Sequence, residues 1–193
     1  MRIHVSNGNM KLGKIYSLSL PPIVTCETGV PCIKDCYAMK SYRLYPTVRK
    51  AWDNNLHCYL KDPSVFLDKV IKYIEKSNID FFRWHVGGDI VNQLYLTTMK
   101  TIAKTFPKIK FLAFTKKHHL NYFMIPDNLT IIASMWSNWG NADIDLPKAW
   151  VLDGMNTDKR IPVTALECAG FCETCGMCWS LKELNRDVVF HKH

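Results

Sequence analysis

Seven of the eight cysteines in this chain fall into two groups whose spacing suits metal chemistry. The first group is Cys26-x5-Cys32-x3-Cys36, with Tyr37 directly after it. Three thiolates on one loop can hold three corners of a [4Fe–4S] cluster and leave the fourth iron open to a substrate or cofactor. The same three can belong to a structural zinc site completed by Cys58 or His57, because zinc normally takes four ligands. Cys58 also has a plainer reading, as a small buried residue on a helix.

The second group is Cys168-x3-Cys172-x2-Cys175-x2-Cys178, followed by Trp179, with Gly170 and Gly176 to bend the loop. Zinc sites usually pair two short cysteine knuckles across a longer loop. Four thiolates this close better match ferredoxin-type ligation, Cys-x2-Cys-x2-Cys-x3-Cys. Here the spacings run in reverse order and the usual proline is absent. The expectation is a C-terminal metal-binding segment holding an iron–sulfur cluster, with zinc as the alternative.

Gly87-Gly88-Asp89 is the third feature. It reads either as a tight turn with Asp89 capping a helix, or as a bend that lets a ligand approach, with Asp89 accepting from an amine. Weaker candidates surround it. His85 reads as a core histidine or a cofactor contact. Lys116 is the member of the Lys116-Lys117-His118-His119 run most suited to face a site. Trp136, Asn138 and Trp139 can stack bases or pack under their own loop. Arg43, Arg49 and Lys50 can neutralise phosphates, while Met99 is simplest as core.

The elements that must position these residues alternate between strand and helix. Ile15 to Leu20 alternates apolar and polar residues and stops at Pro21-Pro22, which predicts a first strand. Pro46 opens a helix with Val48, Trp52, Leu56 and Tyr59 or Leu60 on one stripe. Asp62-Pro63 caps the next, which carries Phe66, Val70 and Ile74 with Leu67 and Ile71 beside them. Ile79 to Val86 predicts a second strand. Tyr95, Met99, Ile102, Ala103 and Phe106 define an amphipathic helix that Pro107 ends. Ile109 to Thr115, Leu129 to Met135, Ala149 to Leu152 and Ile161 to Leu166 predict four more strands. The tail from Asp187 to His193 carries no readable role.

This alternation predicts an α/β fold: a partial (β/α)6-type barrel with a mainly parallel sheet and right-handed crossovers. In such sheets ligands bind beyond the carboxyl ends of the strands. The first cysteine loop, Gly87-Gly88-Asp89, Lys116 and the Trp136–Trp139 loop all follow strands, so they should converge. Residues 1–166 make up the α/β body, and residues 167–193 a cysteine-rich tail packed on it.

Composition sets the outer limits. The chain has 193 residues, enough for one domain at roughly 150 residues each and short of the roughly 250 of a complete eight-unit barrel. Lys plus Arg is 25 against 17 Asp plus Glu, a net charge of +8, and 48% of residues are hydrophobic. That apolar content excludes a disordered chain. The positive charge suits a solvated basic surface or a polyanion partner such as nucleic acid. No apolar run approaches the roughly 18 residues of a membrane span, and MRIHVSNGNMKLG lacks the apolar core of a signal peptide. The expected compartment is a reducing cytoplasm, where clustered cysteines bind metal more often than they form disulfides.

A cysteine loop after the first strand, a Gly-Gly-acid turn after the second and a parallel α/β half-barrel resemble the radical S-adenosylmethionine superfamily. More closely, SLSLPPIVTC, CYA, HVGGD, FTK and the terminal CxxCxxCW resemble a small phage- and plasmid-borne family, the gene product eighty-eight-like proteins, from Tyr16 to Trp179. The resemblance implies that Cys26, Cys32 and Cys36 hold a [4Fe–4S] cluster. S-adenosylmethionine would chelate its open iron, with Gly87, Gly88 and Asp89 at the amino group. One electron from the reduced cluster would cleave the sulfonium and give a 5′-deoxyadenosyl radical. Cys168, Cys172, Cys175 and Cys178 would hold an auxiliary cluster. The superfamily's usual loop is Cys-x3-Cys-x2-Cys with an aromatic before the last cysteine, and its acid is Glu. This chain has wider spacings, Tyr37 after the last cysteine, and Asp89.

The leading expectation is therefore an iron–sulfur enzyme acting on nucleic acid or another macromolecule, supplied with electrons by a flavodoxin or ferredoxin. It would work in the cytoplasm, that of the host cell for a phage-encoded chain. The alternative is a non-enzymatic iron–sulfur or zinc protein that binds nucleic acid on the same scaffold. A third reading is a zinc-ribbon-like interaction module fused to an α/β domain.

Overall fold

A computed structural model describes residues 2–152 and 158–191. Seven strands form one sheet: β1 (Tyr16–Leu18), β2 (Phe81–Trp84), β3 (Lys110–Thr115), β4 (Leu129–Met135), β5 (Lys148–Leu152), β6 (Leu166–Glu167) and β7 (Val188–His191). Their order is β1-β2-β3-β4-β5-β7-β6, and every neighbouring pair is parallel. The sheet is open, with β1 and β6 at its edges.

Each strand sends alternate side chains to opposite faces. Leu18, Phe82, Trp84, Phe111, Ala113, Ile131, Ala133 and Trp150 share one core. Three helices cover that face: α2 (Pro46–Lys61), α3 (Pro63–Glu75) and α4 (Gln93–Thr105). A shorter helix, α1 (Tyr37–Leu44), precedes them. Leu112, Ile132, Ala149 and Val188 point the other way and meet Leu12, Ile15, Trp179 and Leu181. Every residue of β4 is buried, as expected for a central strand covered on both sides.

Local chemistry fixes the helix starts. Asp62 accepts the N–H groups of Ser64 and Val65 at 2.9 and 3.1 Å, with Pro63 at the first helical position of α3. Asn92 accepts the N–H of Tyr95 at 2.9 Å and starts α4. Phe66, Val70 and Ile74 are buried, as are Tyr95, Met99, Ile102 and Ala103. In α2, Leu56, Cys58 and Tyr59 are buried, whereas Leu60 is exposed.

Three sequence expectations need correction. The alternation of strand and helix stops after β3: residues 116–128 and 136–147 join β3 to β4 and β4 to β5 without a helix. The second layer over the sheet is instead the C-terminal segment, where α5 (Cys172–Cys175), a 3-10 turn over Met177–Ser180 and α6 (Leu181–Leu184) follow one another. The strand expected from Ile161 to Leu166 begins only at Leu166. Residues before it turn, with the Ala165 N–H bonded to the Pro162 carbonyl and Val163 fully exposed. The tail also has a role, because Val188–His191 forms β7 between β5 and β6. Asp187 aligns it, accepting the Lys148 N–H and the Trp150 indole N–H, each at 2.8 Å. Lys192 and His193 lie outside the described residues. No helix among the described residues is long and apolar enough to cross a membrane.

Candidate metal centre

β1 delivers the chain to Leu20, and Pro21-Pro22 turns it into the first cysteine loop. The Thr25 hydroxyl donates to the Pro21 carbonyl at 2.8 Å and accepts the N–H of Asp89 at 3.0 Å, so the loop is tied to the end of β2. Gly88 has φ +81°, and a Cβ there would lie 2.7 Å from the Leu20 carbonyl oxygen and from the Thr25 hydroxyl. A Cβ on Gly87 would meet the Trp52 ring at 2.5 Å. Both glycines are thus required by close packing of loop, strand end and α2.

Asp89 is buried. One carboxylate oxygen accepts the N–H of Ile90 at 2.7 Å and the other the N–H of Lys116 at 2.8 Å. Burial raises its pKa, with Lys116 opposing that shift. In this structure Asp89 binds the carboxyl ends of β2 and β3 together. Lys116 interacts electrostatically with Asp89, Cys26, Cys32 and Tyr37. Asp89, Lys116 and the first loop therefore meet at one place.

Burial raises the Cys26 thiol to about 11 and pushes Cys32 up as well. A thiolate there needs a positive partner, such as a metal. Cys58 lies in the helix-side core, and His57 beside it is exposed.

Lys116 also lines a cleft of about 320 Å³, with Glu27, His118, His119, Trp139 and Asn141. His119 pairs with Glu27 at 3.1 Å, and the His118 ring lies 5.2 Å from the Trp139 ring. Arg160 holds the tryptophan loop from below, donating to the Trp136 carbonyl at 2.8 Å and pairing with Asp158. Arg43, Arg49 and Lys50 are exposed on α1 and α2. His85 is buried at a left-handed φ of +55°, with Nε2 3.1 Å from the Tyr95 hydroxyl and its other ring nitrogen unpartnered.

The second cysteine group lies on the opposite face of the sheet from α2–α4. Cys168, Cys172 and Cys178 pack in the core cluster that contains Trp179. All four cysteines line one small hollow with Gly170, Phe171, Gly176, Met177 and Trp179. Trp179 anchors the segment. Its indole N–H donates to the Phe82 carbonyl at 3.3 Å, its ring meets Phe81 edge-on at 5.4 Å, and its carbonyl accepts the Thr130 hydroxyl at 2.8 Å. The Cys168 N–H bonds to Val189 and the Cys172 N–H to Lys11. Gly176 at φ +58° ends α5 and lets the chain turn to Cys178. Burial pushes the Cys178 thiol up to about 12 and raises Cys172 too. Among the described residues, no three His, Cys, Asp or Glu side chains stand ready to ligate a single metal ion. Four thiols around one hollow are nevertheless the donors that a four-thiolate centre would use, and a cluster spreads its sulfurs more widely than one ion does.

Arg83 is the residue that the sequence reading missed. It sits on β2 between Phe82 and Trp84 and points to the cysteine face. Its guanidinium lies 4.3 Å from the Phe114 ring centre, and Nε donates to the Trp84 carbonyl at 3.2 Å. It interacts electrostatically with Tyr37, Cys172 and Cys178. The Tyr37 hydroxyl turns inward to the Val86 carbonyl at 2.7 Å, although the residue as a whole is exposed. One arginine in the apolar run FFRWHV was the available signal.

These features define a parallel α/β protein with one cysteine group at the carboxyl ends of its strands and another beneath its sheet. A family model described as Gene product 88 matches residues 4–181, and the chain belongs to that family. No curated protein and no solved structure matches it.

Proposed function

We propose that this chain is an iron–sulfur protein of the radical S-adenosylmethionine type that modifies a nucleic acid or another macromolecule. The observation that carries the reading is the meeting of Cys26 and Cys32 with Lys116 and Asp89 at the carboxyl ends of β1, β2 and β3. Cys26, Cys32 and Cys36 would hold a [4Fe–4S] cluster, and the open parallel sheet would be the half-barrel of that class. That cluster, held by Cys26, Cys32 and Cys36, would supply the one-electron reductive cleavage of S-adenosylmethionine. The chain's own residues hold that place. Thr25, Gly88 and Asp89 fix the loop against the strand ends. Lys116 brings positive charge to the thiolates, and the Lys116–Trp139 cleft opens beside them. Asp89 serves by holding the strand ends, since its oxygens are engaged by backbone amides.

The test is an electron paramagnetic resonance spectrum of the anaerobically reduced protein, with and without S-adenosylmethionine, together with a search for 5′-deoxyadenosine. A shifted signal and the released nucleoside are expected. An unshifted signal with no 5′-deoxyadenosine overturns the enzymatic reading.

A second reading is a non-enzymatic iron–sulfur or zinc protein that binds nucleic acid on the same scaffold. It is favoured by the engaged carboxylate of Asp89 and by the cleft, where Trp139 stands with Lys116 and His119 in a chain of net charge +8. It expects binding to DNA or RNA that weakens steeply with salt, as release of counterions requires. No binding at low salt removes it.

A further inference from the structure

We infer that Arg83, assisted by Lys11, is the counter-cation of an anionic four-thiolate centre held by Cys168, Cys172, Cys175 and Cys178. The inference rests on the metal-binding reading above but assigns new residues to it.

Two cations from different elements face this cysteine group. Arg83 comes from β2, in the middle of the sheet. It stacks on Phe114, whose ring packs in the same cluster as Cys168, Cys172 and Cys178. Lys11 comes from the N-terminal turn. Its Nζ lies 4.9 Å from the Phe190 ring centre, and its backbone carbonyl accepts the Cys172 N–H at 2.9 Å. Both interact electrostatically with Cys172, and Arg83 with Cys178 as well. Among the described residues, neither Arg83 nor Lys11 forms an ion pair with a carboxylate.

Arg83 is half-buried and Lys11 exposed, so the cost of holding a cation away from water without an anion falls on Arg83, where an apolar residue of similar size is usually better. Four neutral thiols give Arg83 nothing to balance. Four thiolates around zinc, or around a [4Fe–4S] cluster, carry net negative charge and do. Ligand-supporting residues of this kind commonly change metal affinity by 10- to 100-fold when removed. The placement also gives Arg83 a second neighbour, Tyr37, which follows Cys36 directly. One guanidinium thus interacts with both the second cysteine group and the tyrosine that follows the first.

One substitution should act with opposite signs in two forms of the protein. Arg83→Met should speed metal loss to a chelator by about tenfold or more, while Arg83→Lys stays near the wild-type rate. In metal-free, reduced protein, Arg83→Met should melt no lower than wild type, because an unbalanced cation has been removed. Lys11→Gln, at an exposed position, should speed metal loss more weakly and leave the metal-free melting point unchanged. If Arg83 only packs against Phe114 and Trp84, Arg83→Met lowers the melting point of both forms alike and leaves the rate of metal loss unchanged, which overturns the inference. Should loaded Arg83→Met fail to fold, the rate in Lys11→Gln decides: acceleration supports the inference and a wild-type rate overturns it. A wild-type protein with no metal on these four cysteines would sink the metal reading itself, before any variant is made.

Discussion

The carboxylate of Asp89 accepts the backbone N–H of Lys116 at 2.8 Å, so an acid at the end of one strand is bonded to the first residue after the next. This bond sets Lys116 beside the first cysteine loop, and the other oxygen holds the Ile90 N–H. Asp89→Asn keeps the shape but replaces one acceptor by a donor. One buried amide then loses its partner, at a cost of about 1–3 kcal/mol. Urea denaturation should show that loss, and an unchanged midpoint would refute the assigned role.

Gly88 must accept φ +81° with Leu20 and Thr25 pressed against it. Gly88→Ala should destabilise by at least the roughly 1–2 kcal/mol of a left-handed alanine, with the steric conflict added. The same substitution should raise the reactivity of Cys26 toward a thiol reagent in metal-free protein, because the Thr25 tie is disturbed. Wild-type stability and reactivity together would show that the turn is not tightly packed.

His85 is held neutral by burial, which lowers its pKa from 6.5 to about 3. A histidine with a depressed folded pKa contributes stability that is present above its unfolded pKa. That stability is lost as pH falls from about 6.5 toward 3. His85→Asn suits the left-handed backbone and cannot titrate. Its stability should therefore fall less steeply than wild type across that window. Parallel pH profiles for the two proteins would contradict the assignment.

Trp179 pins the second cysteine group to the sheet. Trp179→Phe should cost about 1 kcal/mol for the lost bond to Phe82, and Trp179→Ala about 3–5 kcal/mol for the lost ring. The alanine variant should also expose Cys178, whose buried thiol is pushed up to about 12, to faster alkylation in metal-free protein. Equal effects of Phe and Ala would mean that ring burial is not what anchors the segment.

Much of this framework was legible in the residues. Alternation marked β1, apolar β-branched and aromatic runs marked β2 to β5, and Asp62-Pro63 marked a helix start, because those signals are local. What failed depended on distant partners. Val188–His191 becomes a strand only because β5 and β6 leave a gap that Asp187 aligns. The missing helices after β3 and β4 follow from a sheet face already covered by the C-terminal segment. Gly87-Gly88-Asp89 was visible as a turn, but which groups Asp89 bonds was not, since Lys116 lies 27 residues away. Arg83 is one polar residue in an apolar strand, and only the fold brings it near Cys172 and Cys178.

The most direct measurement is a count of iron, acid-labile sulfide and zinc in protein purified without oxygen. A brown protein is expected, with iron and sulfide in equal number, about four or eight of each for one or two cubane clusters. Cys26→Ser should remove the iron and sulfide of the first centre, and Cys178→Ser the metal of the second. A colourless protein carrying zinc, with no acid-labile sulfide, would contradict the iron–sulfur reading.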